Sequence, residues 1–175
     1  MEQETHDGTV DASAHAARSL ALAVATAMQY IVARPRTAHE VRQKLERSGV
    51  TAATAEAAIA QFRRRGLLDD VAYSRAYVRS RLTHRGYGPQ RLRRELQQRG
   101  VRRALVEEAV TQTLDIEDIL VTARQQATKR WHRLAREADP ARRRQKVYDF
   151  LRRRGFAAAI AQQVLTALVG DPPAD

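Results

Sequence analysis

One helical pattern is repeated three times in this chain: VRQKLERSG at residues 41–49, LRRELQQRG at 92–100 and VYDFLRRRG at 147–155. Each copy places two apolar residues four positions apart and a glycine four positions after the second. This spacing predicts a helix with one buried face that ends in a left-handed glycine cap, at Gly49, Gly100 and Gly155. Because the copies follow at nearly regular intervals, we expect most of the chain to be one helical unit used three times.

The composition favours an all-α protein with a packed core. Hydrophobic residues make up 43% of the 175 residues, which is enough to build such a core. No segment alternates β-branched or aromatic residues with polar ones, as strands of a sheet would. Cysteine is absent, which excludes disulfides, thiolate catalysis and cysteine metal sites.

Helix-start signals divide the chain into three repeats of three helices. Residues 37–40 (TAHE) match a capping box, Asp115 can cap a helix, and Pro89 and Pro140 each suit the first position of a helix. Pro140 precedes its copy of the pattern by four residues more than Pro89 does, which predicts one added helical turn. We predict a disordered acidic tail over residues 1–14, repeats over 15–68, 69–115 and 116–170, and a tail over 171–175. A unit of this size is too small to bury its apolar faces well alone, so the repeats should stack into an elongated, curved array.

The charge of the chain is strongly positive and unevenly distributed. The net charge is +11, and residues 34–155 contain 30 basic side chains against 14 acidic ones. Such an excess favours an anionic partner, either nucleic acid or an acidic protein surface. Arginine outnumbers lysine 28 to 3. This suits bidentate contact with phosphate or carboxylate, although a high-GC genome produces the same bias.

The arginines occur in clusters that would form a basic stripe along the array. Neutralising about six to ten phosphates would make nucleic-acid binding steeply salt-dependent. Some of them, such as Arg65, Arg99 and Arg154, close the last turn of a helix, where a cation stabilises the helix dipole without any partner. The candidate partner-binding residues are Arg63, Arg64, Arg65, Arg91, Arg93, Arg94, Arg102, Arg103, Arg143, Arg144, Arg152, Arg153 and Arg154.

No group of residues suits catalysis, a metal or a cofactor. The five histidines have no spacing that would place two ligands on one helix face, and no glycine-rich phosphate loop occurs. Asp69 and Asp70 could form an acid/base or metal pair, but adjacent aspartates before a helix more often cap it. We therefore predict a protein that is not an enzyme and has no catalytic, metal or cofactor-binding residues.

Tyrosines could add base stacking to phosphate contacts. Tyr73 and Tyr77 have the spacing of core residues, which favours packing over stacking. Tyr87 lies in the loop 86–88 (GYG), where we expect it to be exposed.

The longest apolar stretch is residues 20–28 (LALAVATAM). It is too short to cross a bilayer and follows an acidic rather than a basic segment, unlike a signal peptide. We therefore expect a soluble cytoplasmic monomer that makes no membrane contact.

One segment resembles the signature of a known bacterial family. Residues 66–81 (GLLDDVAYSRAYVRSR) followed by 85–88 (RGYG) are similar to the RecX family of regulatory proteins, and 150–156 (FLRRRGF) agrees with it. The resemblance covers about residues 20–169. It implies three tandem three-helix repeats, and it matches the family by position at Asp69, Asp70, Tyr73, Tyr77 and Arg81.

The resemblance implies a modulator of RecA, the ATP-dependent strand-exchange protein. Members of the RecX family lie in the helical groove of the RecA–DNA filament and inhibit its ATPase, strand-exchange and co-protease activities. The expected partners are then the RecA filament and single- or double-stranded DNA, in homologous recombination, DNA repair and the SOS response. The charge alone supports an alternative, a general nucleic-acid-binding module without a specific protein partner. That alternative predicts tight binding to DNA alone that is lost with added salt.

Overall fold

The computed structural model describes residues 5–170, with side chains for residues 13–170. Over this range every regular element is an α-helix, as predicted. The helices are α1 Thr5–Ala33, α2 Ala38–Arg47, α3 Ala52–Arg64, α4 Asp70–Arg85, α5 Pro89–Gln98, α6 Arg103–Thr113, α7 Ile116–Arg133, α8 Pro140–Arg153 and α9 Ala158–Val169.

The helices form three consecutive groups of three, which confirms the predicted three-helix repeat. The repeated pattern lies in the middle helix of each group, in α2, α5 and α8. Helices α2 and α5 have 10 residues each, whereas α8 has 14, so the predicted additional turn is present. The divisions predicted after residues 68 and 115 fall between helices.

Two compact units make up the described chain. The first contains the residues up to Tyr73 together with Arg99–Val101, and the second contains Ser74–Gln98 and the residues from Arg102 onward. The first three-helix group thus belongs to the first unit. Most of the other two groups belongs to the second unit.

The apolar pair of the repeated pattern is completely buried in every copy. In the first unit, the pair packs with Ala23 of α1 and Phe62 of α3. In the second unit, the copy in α8 packs with Ala127 of α7 and Leu165 of α9. The side chains with zero exposure are Val41, Leu45, Leu92, Leu96, Val147 and Leu151. Because alanines of α1 and α7 pack against the copies in α2 and α8, these helices can approach closely.

Side chains cap the helix starts where the sequence predicts it. Thr37 and Glu40 form the predicted capping box at α2, in which the Glu40 amide donates to the Thr37 hydroxyl at 3.2 Å. The Asp118 amide donates to Asp115 Oδ1 at 2.7 Å at the start of α7. Asp139 accepts hydrogen bonds at the start of α8, ahead of Pro140.

Helix α1 begins earlier than the sequence predicts. Residues 5–14, expected as a disordered tail, continue the first helix, and residues 1–4 and 171–175 of the two predicted tails lie outside the described residues. No proline interrupts residues 5–33, and alanine, the strongest helix former, recurs from Ala12 onward.

Helix α1 also contains an apolar segment that is longer than residues 20–28. Ser13–Ala33 has a mean hydropathy of 1.3 and is long and apolar enough to cross a membrane by length and composition. Core helices of soluble proteins and N-terminal signal sequences meet the same measure. Ala23 and Ala27 of this segment are completely buried against α2 and α3, whereas Leu22 is exposed. The absence of membrane contact stays a prediction.

Candidate site for an anionic partner

The adjacent aspartates lie at the start of α4 and connect parts of the first unit. Asp69 caps α4, since its Oδ1 accepts the amide of Val71 at 2.8 Å. Asp70 Oδ1 accepts the amide of Ala38, the first residue of α2, at 2.9 Å, and its Oδ2 lies 3.4 Å from Arg63 Nη2. Both carboxylates are therefore used by backbone amides, and Arg63 is partly neutralised.

The signature tyrosines are half-buried, and the Tyr77 side chain connects α4 to α5. The Tyr73 amide donates to the Asp69 carbonyl at 2.9 Å, in the first turn of α4. The Tyr77 hydroxyl donates to Glu95 Oε2 at 2.6 Å, and Arg91 Nε donates to the other oxygen at 2.9 Å. Burial opposes the charge on Glu95, but these two hydrogen bonds outweigh it, and the pKa of Glu95 is lowered.

Tyr87 is half-buried, so the expectation that it is exposed is wrong. The Arg91 guanidinium lies 3.7 Å from the centroid of its ring, and that of Arg154 lies 5.9 Å away. The ring is therefore covered by cation–π contacts with this chain's own arginines. The sequence around Tyr87 could not show this burial, because the arginines that cover the ring come from α5 and from the C-cap of α8.

The three repeated glycines all have the backbone conformation that a left-handed cap requires. Their φ angles are +80° at Gly49, +73° at Gly100 and +89° at Gly155. A side chain on Gly49 would meet nothing, but one on Gly155 would collide with the backbone of Arg91. A side chain on Gly100 would collide with the ring of His39, also in the first unit. Two of the glycines therefore also allow close packing.

Predicted contact arginines of α5 and the signature residue Arg81 are used inside the second unit. Arg93 Nε donates to Glu107 at 2.7 Å. Arg81 lies 5.0 Å from the ring centroid of Tyr77. These guanidiniums, like that of Arg91, stabilise helix packing and are only partly available to a partner.

The arginines of the last repeat are also largely engaged. Arg143 lies 3.9 Å from the ring centroid of Trp131 and donates to its carbonyl oxygen at 2.7 Å. Arg152 donates to the Phe156 carbonyl at 2.9 Å. Arg144 donates to the carbonyl of Gly170 and lies 3.4 Å from the Thr166 hydroxyl. Arg154 donates to the carbonyls of Arg85 and Gly86. The predicted triplets therefore do not act as uniform clusters.

The remaining predicted arginines are exposed and form no ion pair with any described residue. Two of them end α3 in the first unit, and the others lie on α5, at the start of α6 and near the end of α8 in the second unit. They are the side chains most available to an anionic partner: Arg64, Arg65, Arg94, Arg102, Arg103 and Arg153.

Arg102 and Arg103 lie at the N-terminus of α6, where a positive charge is unfavourable for the helix. Arg102 is the N-cap residue and makes no capping hydrogen bond through its side chain, and Arg103 is the first residue of the helix. The helix dipole is positive at this end, so each cation here costs about 0.3–1 kcal/mol rather than stabilising the helix. Helix stability therefore does not explain this pair of arginines. Contact with an anion would.

One group of basic residues was missed by the sequence analysis. Lys129, Arg130 and Arg133 lie on α7 beside Gln126, and Arg85 ends α4. The available signal was their spacing, since positions 126, 129, 130 and 133 share one face of a helix. It was overlooked because these residues do not form a contiguous run.

The described residues contain no set of three or more His, Asp or Glu side chains that could hold a metal ion. The candidate site is therefore a set of guanidinium groups, which can bind anions by charge and by bidentate hydrogen bonds.

Family models match nearly the whole helical region. The first RecX three-helix domain matches residues 23–62, the second matches 69–110 and the third matches 117–165. These ranges correspond to the three groups of helices.

Individual relatives agree with the family models. The chain is 30% identical to the regulatory protein RecX of Streptomyces coelicolor over 171 residues, which cover 94% of this chain and 90% of the relative. It is 32% identical to the regulatory protein RecX of Prosthecochloris aestuarii over 143 residues, 82% of this chain and 91% of the relative.

Solved structures show the same fold. A crystal structure of a regulatory protein RecX has a TM-score of 0.81 at 27% identity and covers 90% of this chain and 77% of that one. The crystal structure of RecX from Lactobacillus salivarius has a TM-score of 0.79 at 21% identity, over 87% and 97% of the two chains.

Proposed function

Because the chain belongs to the RecX family of regulatory proteins, we propose that it binds the RecA–DNA filament in the cytoplasm and inhibits RecA. The affected activities would be ATP hydrolysis, strand exchange and co-protease activity. The chain would act by occupying the groove of the filament, as a binding protein and not as an enzyme.

The exposed arginines are the structural feature that supports this proposal. The chain has a net charge of +11, and some of its acids already pair with other arginines, as Glu107 does with Arg93 and Glu95 with Arg91. The excess charge is thus carried by side chains that face solvent. A DNA filament coated with protein presents both phosphates and acidic side chains, and guanidinium groups bind either in a bidentate manner.

The single observation that carries the proposal is the placement of Arg102 and Arg103. They lie at the positive end of α6, exposed and without an acidic partner among the described residues. Since they oppose the helix dipole, the stability of α6 does not account for them, whereas contact with an anionic partner would. Arg64 and Arg65, by contrast, end α3 and are favourable for the helix itself.

The test is inhibition of RecA-catalysed strand exchange by a doubly substituted protein, R102Q/R103Q. We expect a several-fold higher concentration of this variant to be needed for half-maximal inhibition. The matched control is R18Q/R34Q, which removes two positive charges from exposed arginines outside the candidate set. It should inhibit like the unmodified protein.

Circular dichroism of both variants establishes that they are folded. If folded R102Q/R103Q inhibits strand exchange as well as the control does, these arginines are not part of the interface. If both variants lose inhibition equally, net charge alone accounts for the effect, and the general nucleic-acid-binding alternative is favoured.

A further inference from the structure

The second unit contains an open pocket with an unusual concentration of positive charge. Its volume is about 270 Å³, and it lies among the last turn of α4, the second half of α7 and helix α8 with its C-cap. The residues that line it are His84, Arg85, Gln126, Lys129, Arg130, Arg133, Phe150 and Arg154. The lining therefore has five permanent cations and no carboxylate.

The cations are held in place by contacts that leave their charge uncompensated. The Arg154 guanidinium lies 4.7 Å from the ring centroid of Phe150, and its Nη1 is 3.3 Å from the Gly86 carbonyl oxygen. The Arg130 guanidinium lies 5.5 Å from the same ring. A ring and a neutral carbonyl orient these groups, but neither contributes a full negative charge.

Arg130 has a polar atom that lacks a partner. Its Nε is buried and forms no hydrogen bond with any described residue. A buried donor without an acceptor costs about 1–3 kcal/mol, and such groups are rare in folded proteins. An acceptor supplied from outside the chain would remove this cost.

The electrostatics of Arg154 agree with the need for an anion. Burial is the main reason that the pKa of Arg154 is lowered. Tyr87 opposes the effect, and the positive charges of Arg91 and Arg133 add to it. The guanidinium stays protonated, so the repulsion among these cations persists until a negative charge enters.

We propose that this pocket binds a phosphate group. A phosphate offers several acceptor oxygens, enough to be shared by Arg130, Arg133 and Arg154, and its charge is that which guanidinium and ammonium groups neutralise best. A single carboxylate has two oxygens and one negative charge and would leave most of the five cations unpaired, whereas two linked phosphates offer at least four oxygens and two charges. The pocket is large enough for two linked phosphates, as in pyrophosphate or adjacent positions of a nucleic-acid backbone. This inference concerns the protein alone and does not depend on binding to RecA.

The test compares two double variants of the full-length protein. K129Q/R133Q removes two exposed cations of the pocket, and neither side chain makes a hydrogen bond or ion pair with another described residue. R124Q/R136Q is the matched control, because Arg124 and Arg136 are also exposed, lie on α7 and in the turn after it, and do not line the pocket. Circular dichroism verifies that both are folded.

Two probes distinguish the sources of the phosphate. The first is pyrophosphate, measured by calorimetry at constant ionic strength set with sodium chloride. The second is a fluorescent single-stranded oligothymidylate without terminal phosphates, measured by anisotropy. We expect at least one probe to bind the unmodified protein and R124Q/R136Q alike and to bind K129Q/R133Q several-fold more weakly. Binding of pyrophosphate alone would identify a site for small phosphates, and binding of the oligonucleotide alone would identify a backbone site.

The proposal is overturned if K129Q/R133Q and R124Q/R136Q bind each probe equally. It is also overturned if the unmodified protein binds neither probe. Because RecA is absent from these measurements, they stand apart from the strand-exchange test of the proposed function.

Discussion

The backbones of Gly88 and Gly155 are in direct contact within the second unit. A Cβ on Gly88 would lie 2.5 Å from the carbonyl carbon of Gly155. The Gly88 amide donates to the carbonyl of Arg154 at 2.8 Å, and the Gln90 amide donates to that of Gly155 at 3.0 Å. The start of α5 is thus attached to the end of α8 by main-chain hydrogen bonds, which only glycine at these positions permits.

Alanine at Gly155 is expected to destabilise the protein more than alanine at Gly49. Both glycines end the same pattern with a positive φ, so each substitution costs about 1–2 kcal/mol of left-handed strain. At Gly155 the new Cβ would also collide with the Arg91 backbone, whereas at Gly49 it meets nothing within 4 Å. Urea unfolding should show a further loss of about 1–3 kcal/mol in G155A. Equal losses in the two variants would show that the backbone of α5 moves away from the new methyl group without reducing the free energy of unfolding.

Thr37→Val should reduce stability through the loss of one buried hydroxyl. This side chain has no exposure, accepts the Glu40 amide and donates to the Arg99 carbonyl at 2.7 Å. We expect a loss of about 2 kcal/mol, because a helix cap is removed and a carbonyl loses its donor. Thr51→Val is the control, since Thr51 also caps a helix but is exposed. A loss in T37V no larger than in T51V, measured by thermal unfolding, would contradict this account.

Glu95 should make stability depend on acidic pH. Its pKa is lower in the folded chain than its usual 4.5, because hydrogen bonds from Tyr77 and Arg91 outweigh burial. The resulting stabilisation is fully present above the unfolded pKa and is lost as the pH falls through the folded value. We therefore expect E95Q to be less stable than the unmodified protein near neutral pH, and to lose less stability between about pH 6 and pH 3.

The control for this titration is E46Q. Glu46 is exposed and has no ion-pair partner among the residues that the structure describes, so its substitution should leave the pH profile of urea unfolding unchanged. The same profile for E95Q and E46Q would exclude Glu95 as a source of the dependence.

The arginines at opposite helix ends should affect stability in opposite directions. R102Q/R103Q removes cations from the positive end of α6 and should leave stability unchanged or raise it, by about 0.3–1 kcal/mol for each charge. R65Q removes a cation from the C-cap of α3 and should lower it by a similar amount. Thermal unfolding at low ionic strength measures both. Clear destabilisation by R102Q/R103Q would mean that these side chains have a structural role in the free protein.

The sequence was sufficient for the fold because the signals that determine it are local. The buried pair Leu92 and Leu96 and its counterparts are visible as a four-residue spacing, and Thr37 with Glu40 is visible as a capping box. The extra turn of α8 followed from the position of one proline. The start of α1 was missed because an acidic, alanine-containing segment has no sharp helix-start signal.

The site was less predictable because the neutralisation of a charge depends on distant contacts. Arg99 pairs with Glu40 at 2.6 Å across 59 positions of sequence, and Arg154 bonds to Gly86 across 68. No run of arginines in a sequence shows which members will be used in this way. The basic pocket was missed for the same reason, since α4, α7 and α8 each contribute only part of it.

The most direct test of the central claim is RecA's single-stranded-DNA-dependent ATPase activity, titrated with this protein below the concentration of RecA at physiological salt. A basic protein of matched net charge serves as the control. Regulation of the filament predicts that ATP hydrolysis falls at such substoichiometric ratios with this protein and not with the control. Equal effects of the two proteins, or inhibition only at ratios that coat the DNA, would contradict it and identify a charge-driven binder of nucleic acid.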